Sequence, residues 1–218
     1  MSGWSRFWQD DIGIAALLSA TAGFADAVGY VNSGVFAANM TGNTVLAGLS
    51  LANGDWDVAF GRGMTLAAFC GGVVVASLVL RFSRGRGTAP LIGEAALVLA
   101  SAFAEARTHL SIALIAAAMG MQAVAVTRFR SVVASTVVVT TTMARLSEFG
   151  LSWLIARPQA REAAPKTAPS LLAAIWICYA LGAVAAALVM RATAWPLFAP
   201  AAMLVLVALI VALKQSRA

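Results

Sequence analysis

Long apolar runs alternate with short polar breaks along this chain: 12–31, 62–80, 89–104, 110–127, 169–190 and 195–213. About 20 apolar residues in a helix cross about 30 Å of hydrocarbon, so the runs predict six transmembrane helices. Two further segments, 33–52 and 132–155, begin polar and end apolar. In the first, Asn39, Thr41, Gly42, Asn43 and Thr44 stand ahead of an apolar stretch too short to span. Asn and Thr before an apolar run mark a helix N-terminus. Such polar groups are costly when unsatisfied in lipid, so they must face protein or water. The pattern predicts a short helix that enters the bilayer and leaves by the same side. A weaker copy, around Thr140, Thr141 and Thr142, opens the second segment.

Composition agrees. The chain of 218 residues is 61% hydrophobic and 11% charged, against about half and a quarter in soluble domains. The expected class is an all-α polytopic membrane protein, one integral membrane domain over 1–218. The net charge of +6 would suggest nucleic acid in a soluble protein. Here the basic residues fall in loops, where the positive-inside rule accounts for them. No nucleic-acid partner is expected. Ala20-Thr-Ala22 resembles a signal-peptidase site, but cleavage there would remove the first helix of the repeat described next, so that helix is expected to stay.

Charge also orders the topology. If both polar-start segments are re-entrant, Arg81, Arg84, Arg86, Arg128, Arg130, Arg157, Arg161, Lys166, Lys214 and Arg217 share one side, the cytoplasmic one. The acidic turn Ala52-Asn-Gly-Asp-Trp-Asp57 then faces outward. Both termini are expected in the cytoplasm of a bacterial cell with this protein in its inner membrane. Internal similarity points the same way. Gly23-Phe-Ala-Asp-Ala-Val28 resembles the stretch from Gly120 to Val124, and the segment from Phe69 to Arg81 shares six of thirteen positions with that from Tyr179 to Arg191. Halves 12–105 and 109–214 would each hold three crossings and one half-helix. Three is odd, so the halves must be inverted, an architecture of transporters and channels.

Within this frame Asp26 is the acid of the first span, with Gln122 near the matching place in the fourth. An intramembrane carboxylate is a candidate for proton coupling, cation binding or pinning a broken helix. Arg145 and Glu148, at i and i+3, suit a local ion pair. Glu94 near the start of the third span reads as interfacial, His109 as solvated, and Cys70 and Cys178 as buried small apolar residues. No metal-ligand cluster, P-loop or dinucleotide fingerprint is present in the sequence. No cofactor is expected, and an enzyme acting on a membrane substrate is the weakest reading.

The run Gly23-Phe-Ala-Asp-Ala-Val-Gly-Tyr30 followed by Phe36-Ala-Ala-Asn-Met-Thr-Gly-Asn-Thr44 resembles the YoaK-like bacterial membrane proteins, the domain of unknown function family 1275. Ala118-Met-Gly-Met-Gln-Ala123 and Thr140-Thr-Thr-Met-Ala-Arg-Leu146 are similar to its pattern too, so the likeness covers nearly the whole chain. Where that pattern has Thr-Gly-Thr this chain has Thr140-Thr141-Thr142, and Ala123 stands where an Asn often follows the Gln. The resemblance implies an integral membrane protein and supplies no substrate. The expectation from the residues is a transporter or channel for a small polar solute, an anion by preference because helix N-termini favour one, bound by Asn39, Thr41–Thr44 and Thr140–Thr142. Asp26, Gln122, Arg145 and Glu148 would serve coupling or structure. Membrane lipids and a second copy, as a homodimer, complete the partners. The rival is a membrane scaffold that binds lipids or a partner, with the polar breaks as packing devices.

Overall fold

The structure is a computed structural model and describes residues 3–83, 88–104, 108–126, 139–155 and 167–216. All regular structure among these residues is helical: α1 (Gly3–Ser33), α2 (Met40–Asn53), α3 (Trp56–Phe82), α4 (Thr88–Phe103), α5 (His109–Val126), α6 (Val139–Ile155), α7 (Thr167–Ala192) and α8 (Phe198–Gln215). Three stretches are long and apolar enough to cross a membrane: Ile12–Ser33, Trp56–Phe82 and Pro169–Ala192. Thr88–Phe103, His109–Ala125 and Phe198–Lys214 are shorter apolar helices. The basic clusters at 84–86, 128–130 and 157–166 and the start of the second polar segment, 132–138, lie outside the described residues.

Local chemistry sets the helix ends. Gly34, at φ +63, lets the chain turn back after α1 while its N–H bonds to the Tyr30 carbonyl. Gly54, at φ +79, closes α2, and the Asp55 N–H reaches back to the Ser50 carbonyl. That left-handed glycine with crossed bonds is the common helix stop. α4, α7 and α8 each carry proline as third residue (Pro90, Pro169, Pro200), where the missing N–H leaves no helical bond unmade. Two sequence expectations shift. α3 starts at Trp56 rather than at 62, with Asp57 in its first turn, where a negative charge suits the positive helix end. The segment 33–52 divides into an irregular stretch, 34–39, and α2.

α1 is the central element and α3 and α7 are peripheral: 61% of the α1 span is buried, against 22% for each of the others. α1 packs on α7, α5 and α8; α5 packs on α3 and α4; and α4 packs on α8. Leu18, Ala22 and Val28 of α1, Leu91 and Val98 of α4, Ile112 and Met119 of α5, and Leu204 and Val207 of α8 share one core. The outward faces of α3 and α7 expose Val74, Leu78, Leu181 and Leu188. These suit lipid.

Two helix crossings are closed by glycine. A Cβ on Gly23 would lie 2.0 Å from the Tyr179 carbonyl oxygen, and one on Gly182 would lie 2.0 Å from that of Ala20. At the other crossing, Gly72 faces the Ala117 oxygen at 2.0 Å and Gly120 faces that of Phe69 at 2.1 Å. In all four cases the oxygen belongs to the residue three places before the opposing glycine. No side chain fits at these points, so the backbones pack directly, as small residues allow in membranes. Ser19 adds a hydroxyl bond of 2.6 Å to the Ile175 carbonyl beside the first crossing.

Candidate functional site

The stretch 34–39 folds down against α1, and Asp26 holds it there. One carboxylate oxygen accepts from the N–H groups of Ala38 at 2.5 Å and Asn39 at 3.2 Å. The other accepts from the Tyr179 hydroxyl of α7. Asp26 lies seven residues before the end of α1, so α2 begins about 10 Å below that end along the helix axis. Gly29 makes the descent sterically open: a Cβ there would meet the Val35 oxygen and Ile112 at 2.7 Å.

Asn43 completes the turn. Its side chain donates to the Phe36 carbonyl at 2.7 Å and accepts from the Phe36 N–H at 2.9 Å. One side-chain amide thus satisfies both polar groups of a peptide that has no ladder to join. Asn39 caps α2, its side-chain oxygen accepting from the Gly42 N–H at 3.1 Å. Phe36 stacks on Tyr30 with ring centroids 4.8 Å apart. Thr44 donates to the Met40 carbonyl. Thr41 and Thr44 are exposed on the outer face of α2, whereas Asn43 is fully buried.

α6 repeats this disposition more sparsely. Thr142 is buried, and Thr140, Thr141, Arg145 and Glu148 are exposed. α2 packs on α3 and α6 packs on α7, and among the described residues the two short helices share no extensive contact. The structure therefore ties Asn39 to Asp26 at the start of α2, with Asn43 bonded to Phe36, and places Thr140–Thr142 on a helix that packs on α7 instead. Gln122 donates to the Leu18 carbonyl at 2.9 Å, tying α5 to α1.

Several sequence expectations need correction. Cys70 is exposed on the lipid-directed face of α3 and Cys178 is half-buried, because a span facing lipid has no interior on that side. Glu94 is fully buried, since α4 starts at Thr88 and carries it more than a turn into the bundle. Arg62 and Tyr179 escaped notice. Arg62 donates from α3 to the Leu46 carbonyl at 2.6 Å and to the Ser50 hydroxyl, fixing the far half of α2. Its charge at the edge of an apolar run was one signal. For Tyr179 the signal was a hydroxyl where the matching residue is Phe69.

A cavity of about 280 Å³ opens at the ends of α1, α4 and α7. Asn32, Ser101, Ser111, Ile115, Thr193 and Trp195 are among its walls. The Ser101 hydroxyl lies 2.9 Å from the Ser111 carbonyl and 3.0 Å from its hydroxyl. Phe103, Trp195 and Phe198 pack edge to face beside the mouth. Among the described residues no group of His, Cys, Asp and Glu could hold a metal ion.

Apolar helices of spanning length around a core that buries a carboxylate and an asparagine define a multi-pass helical membrane protein. The chain belongs to the DUF1275 family, described as "Protein of unknown function", whose family model matches residues 14–210. It is 32% identical over 186 residues to the UPF0700 transmembrane protein YoaK of Bacillus subtilis (strain 168), covering 80% of this chain and 82% of that protein. No solved structure matches it.

Proposed function

We propose that this protein is a small transporter or channel for a polar solute in the bacterial inner membrane. It is built from two inverted halves, 12–105 and 109–214, with six crossings and with α2 and α6 re-entrant. The observation that carries the reading is the start of α2. It is held about 10 Å inside the span of α1 by Asp26, with the hydroxyls of Thr41 and Thr44 exposed beside it at a depth where lipid offers them no partner and Thr44 turns back on the Met40 carbonyl. The repeat is supported by the glycine crossings, whose partner oxygens stand in one register in both pairs. It is also supported by the packing of α2 on α3 and of α6 on α7.

The choice of solute follows from what already occupies the helix start. Asp26 and Asn39 take the N–H groups of residues 38, 39 and 42. A protein carboxylate is thus the anion at this positive end. The preference moves from an anion to an uncharged polar solute that exchanges hydrogen bonds with the threonine hydroxyls. A second copy of the chain would cover the polar outer faces of α2 and α6, with both termini of each protomer in the cytoplasm.

One observation favours the scaffold reading instead: both oxygens of Asp26, the side-chain oxygen of Asn39 and the side-chain amide of Asn43 are engaged within the protein. The test is thermal stabilisation of purified protein by a panel of neutral, anionic and cationic solutes, followed by flux in vesicles. A solute at 100 times its Kd adds about 2.7 kcal/mol to the folded state. T41V and T44V should keep their unliganded melting temperatures and lose both the shift and the flux. Melting curves untouched by every solute, with no flux in vesicles, would leave the scaffold reading standing.

A further inference from the structure

Glu94 is fully buried in α4, and neither of its carboxyl oxygens has a hydrogen-bond partner. From this, together with the cavity above it, we infer that Glu94 is a proton-binding carboxyl, loaded from that cavity. The inference takes its purpose, coupling, from the transport reading above; its test needs no transported solute.

The contrast with Asp26 is direct. Both oxygens of Asp26 are engaged, by two backbone N–H groups and a phenol, so its charge has a structural use. Glu94 has no such use. An unpaired carboxylate in an apolar interior is far costlier than a neutral acid, so Glu94 rests here with its proton on. The helices against α4 carry His109 on α5, Lys214 on α8, and Asp57, Arg62, Cys70 and Arg81 on α3, and none of them bonds to Glu94. Phe103 packs on Phe198, which sets the head of α8 at the tail of α4 and Lys214 toward the other end.

Packing does not demand an acid at this place. Glu94 follows Pro90 by four residues in α4, and in α8 the residue four places after Pro200 is Leu204, also fully buried. An apolar side chain fills the equivalent position there. A route for the proton is present as well. Glu94, Val98 and Ser101 follow one another at i, i+4 and i+7 on a single face of α4. Ser101 lines the cavity, and about 10 Å along the helix axis separates its backbone from that of Glu94. Val98 is the one side chain of that row between them. Next to Glu94, Gly93 leaves room for the flexible end of Met121, which a Cβ would meet at 2.7 Å. A valine on the α4 face and a flexible thioether beside it are side chains that can shift to admit water.

The probe is dicyclohexylcarbodiimide, an apolar reagent that forms a stable acylurea with protonated carboxyls in apolar surroundings. Protein reconstituted in vesicles is treated across a range of pH, and its peptides are mapped by mass spectrometry. Glu94 should carry the adduct and Asp26 should not, at a rate that falls as pH rises. In pH-difference infrared spectra, a protonated-carboxyl band should be present in the native protein and lost in E94Q, with the E94Q melting temperature unchanged. Glu94 without adduct at every pH, or a carboxyl band that persists in E94Q, would overturn the proposal and leave a sealed packing acid. A Glu94 that takes the adduct in a protein whose melting curve no solute shifts and through which no solute passes in vesicles would keep the proton site and remove the transport reading.

Discussion

At the scale of single residues, the turn before α2 rests on three side chains, each answering backbone groups that no helix can reach. Asn43 is the simplest to test. N43L removes both bonds to the buried peptide of Phe36, and a buried unpaired group costs about 1–3 kcal/mol. Unfolding in detergent should show N43L less stable by about 2–4 kcal/mol. Y179F removes one bond to Asp26 and should cost about 0.5–1.5 kcal/mol. Much of this turn was legible in the sequence. Asn39, Thr41 and Asn43 inside an apolar stretch announce a capped helix start, and a lone acid in the preceding span invites a backbone partner. The donor from α7 was not legible, because nothing local says which of six apolar runs lies beside Asp26. Cys70 misled for a related reason: in a membrane, mid-span does not mean interior.

Among elements, most helices were readable to within a few residues, since apolar runs end where charges begin. α1 starts at Gly3 rather than at 12, however, and α3 at Trp56 rather than at 62, because a helix can continue past the apolar run that announces it. The pairing of helices was not readable, because one apolar face resembles another. What decides it is the glycine register at the two crossings. Gly71 and Gly72 give an internal comparison, since a Cβ at Gly71 meets nothing within 4 Å and one at Gly72 meets a backbone oxygen. G71A should be neutral or stabilising by about 0.5–1 kcal/mol through helix propensity. G72A forces α3 from α5 and should cost about 1–3 kcal/mol, read as a lower melting temperature. Equal melting temperatures for the pair would mean that the crossing is looser than drawn here. Glu94 belongs to this scale too: its depth followed from where α4 begins, which the proline at position 90 and the basic run before it only bracketed.

For the whole molecule, the topology proposed from charge has a direct check. With Cys70 and Cys178 replaced by alanine, N53C lies at the exposed end of α2 and S216C at the exposed end of α8. An impermeant maleimide added to intact cells should label N53C, and should reach S216C only after lysis. The reverse pattern would invert every inside and outside assignment made above. The pairing of α1 with α7 and of α3 with α5 bears on something else, the order of biosynthesis. Ribosomes add about 5–20 residues per second, so α1 must wait on the order of ten seconds in the bilayer before its partner is made. Throughout that interval Asp26 has no phenol and Gly23 no backbone to lie against. The N-terminal half is therefore a client of whatever shields unfinished helices in the membrane, and synthesised alone it should be degraded. Supplied as a separate chain alongside the C-terminal half, it should persist, because each holds the other's missing contacts.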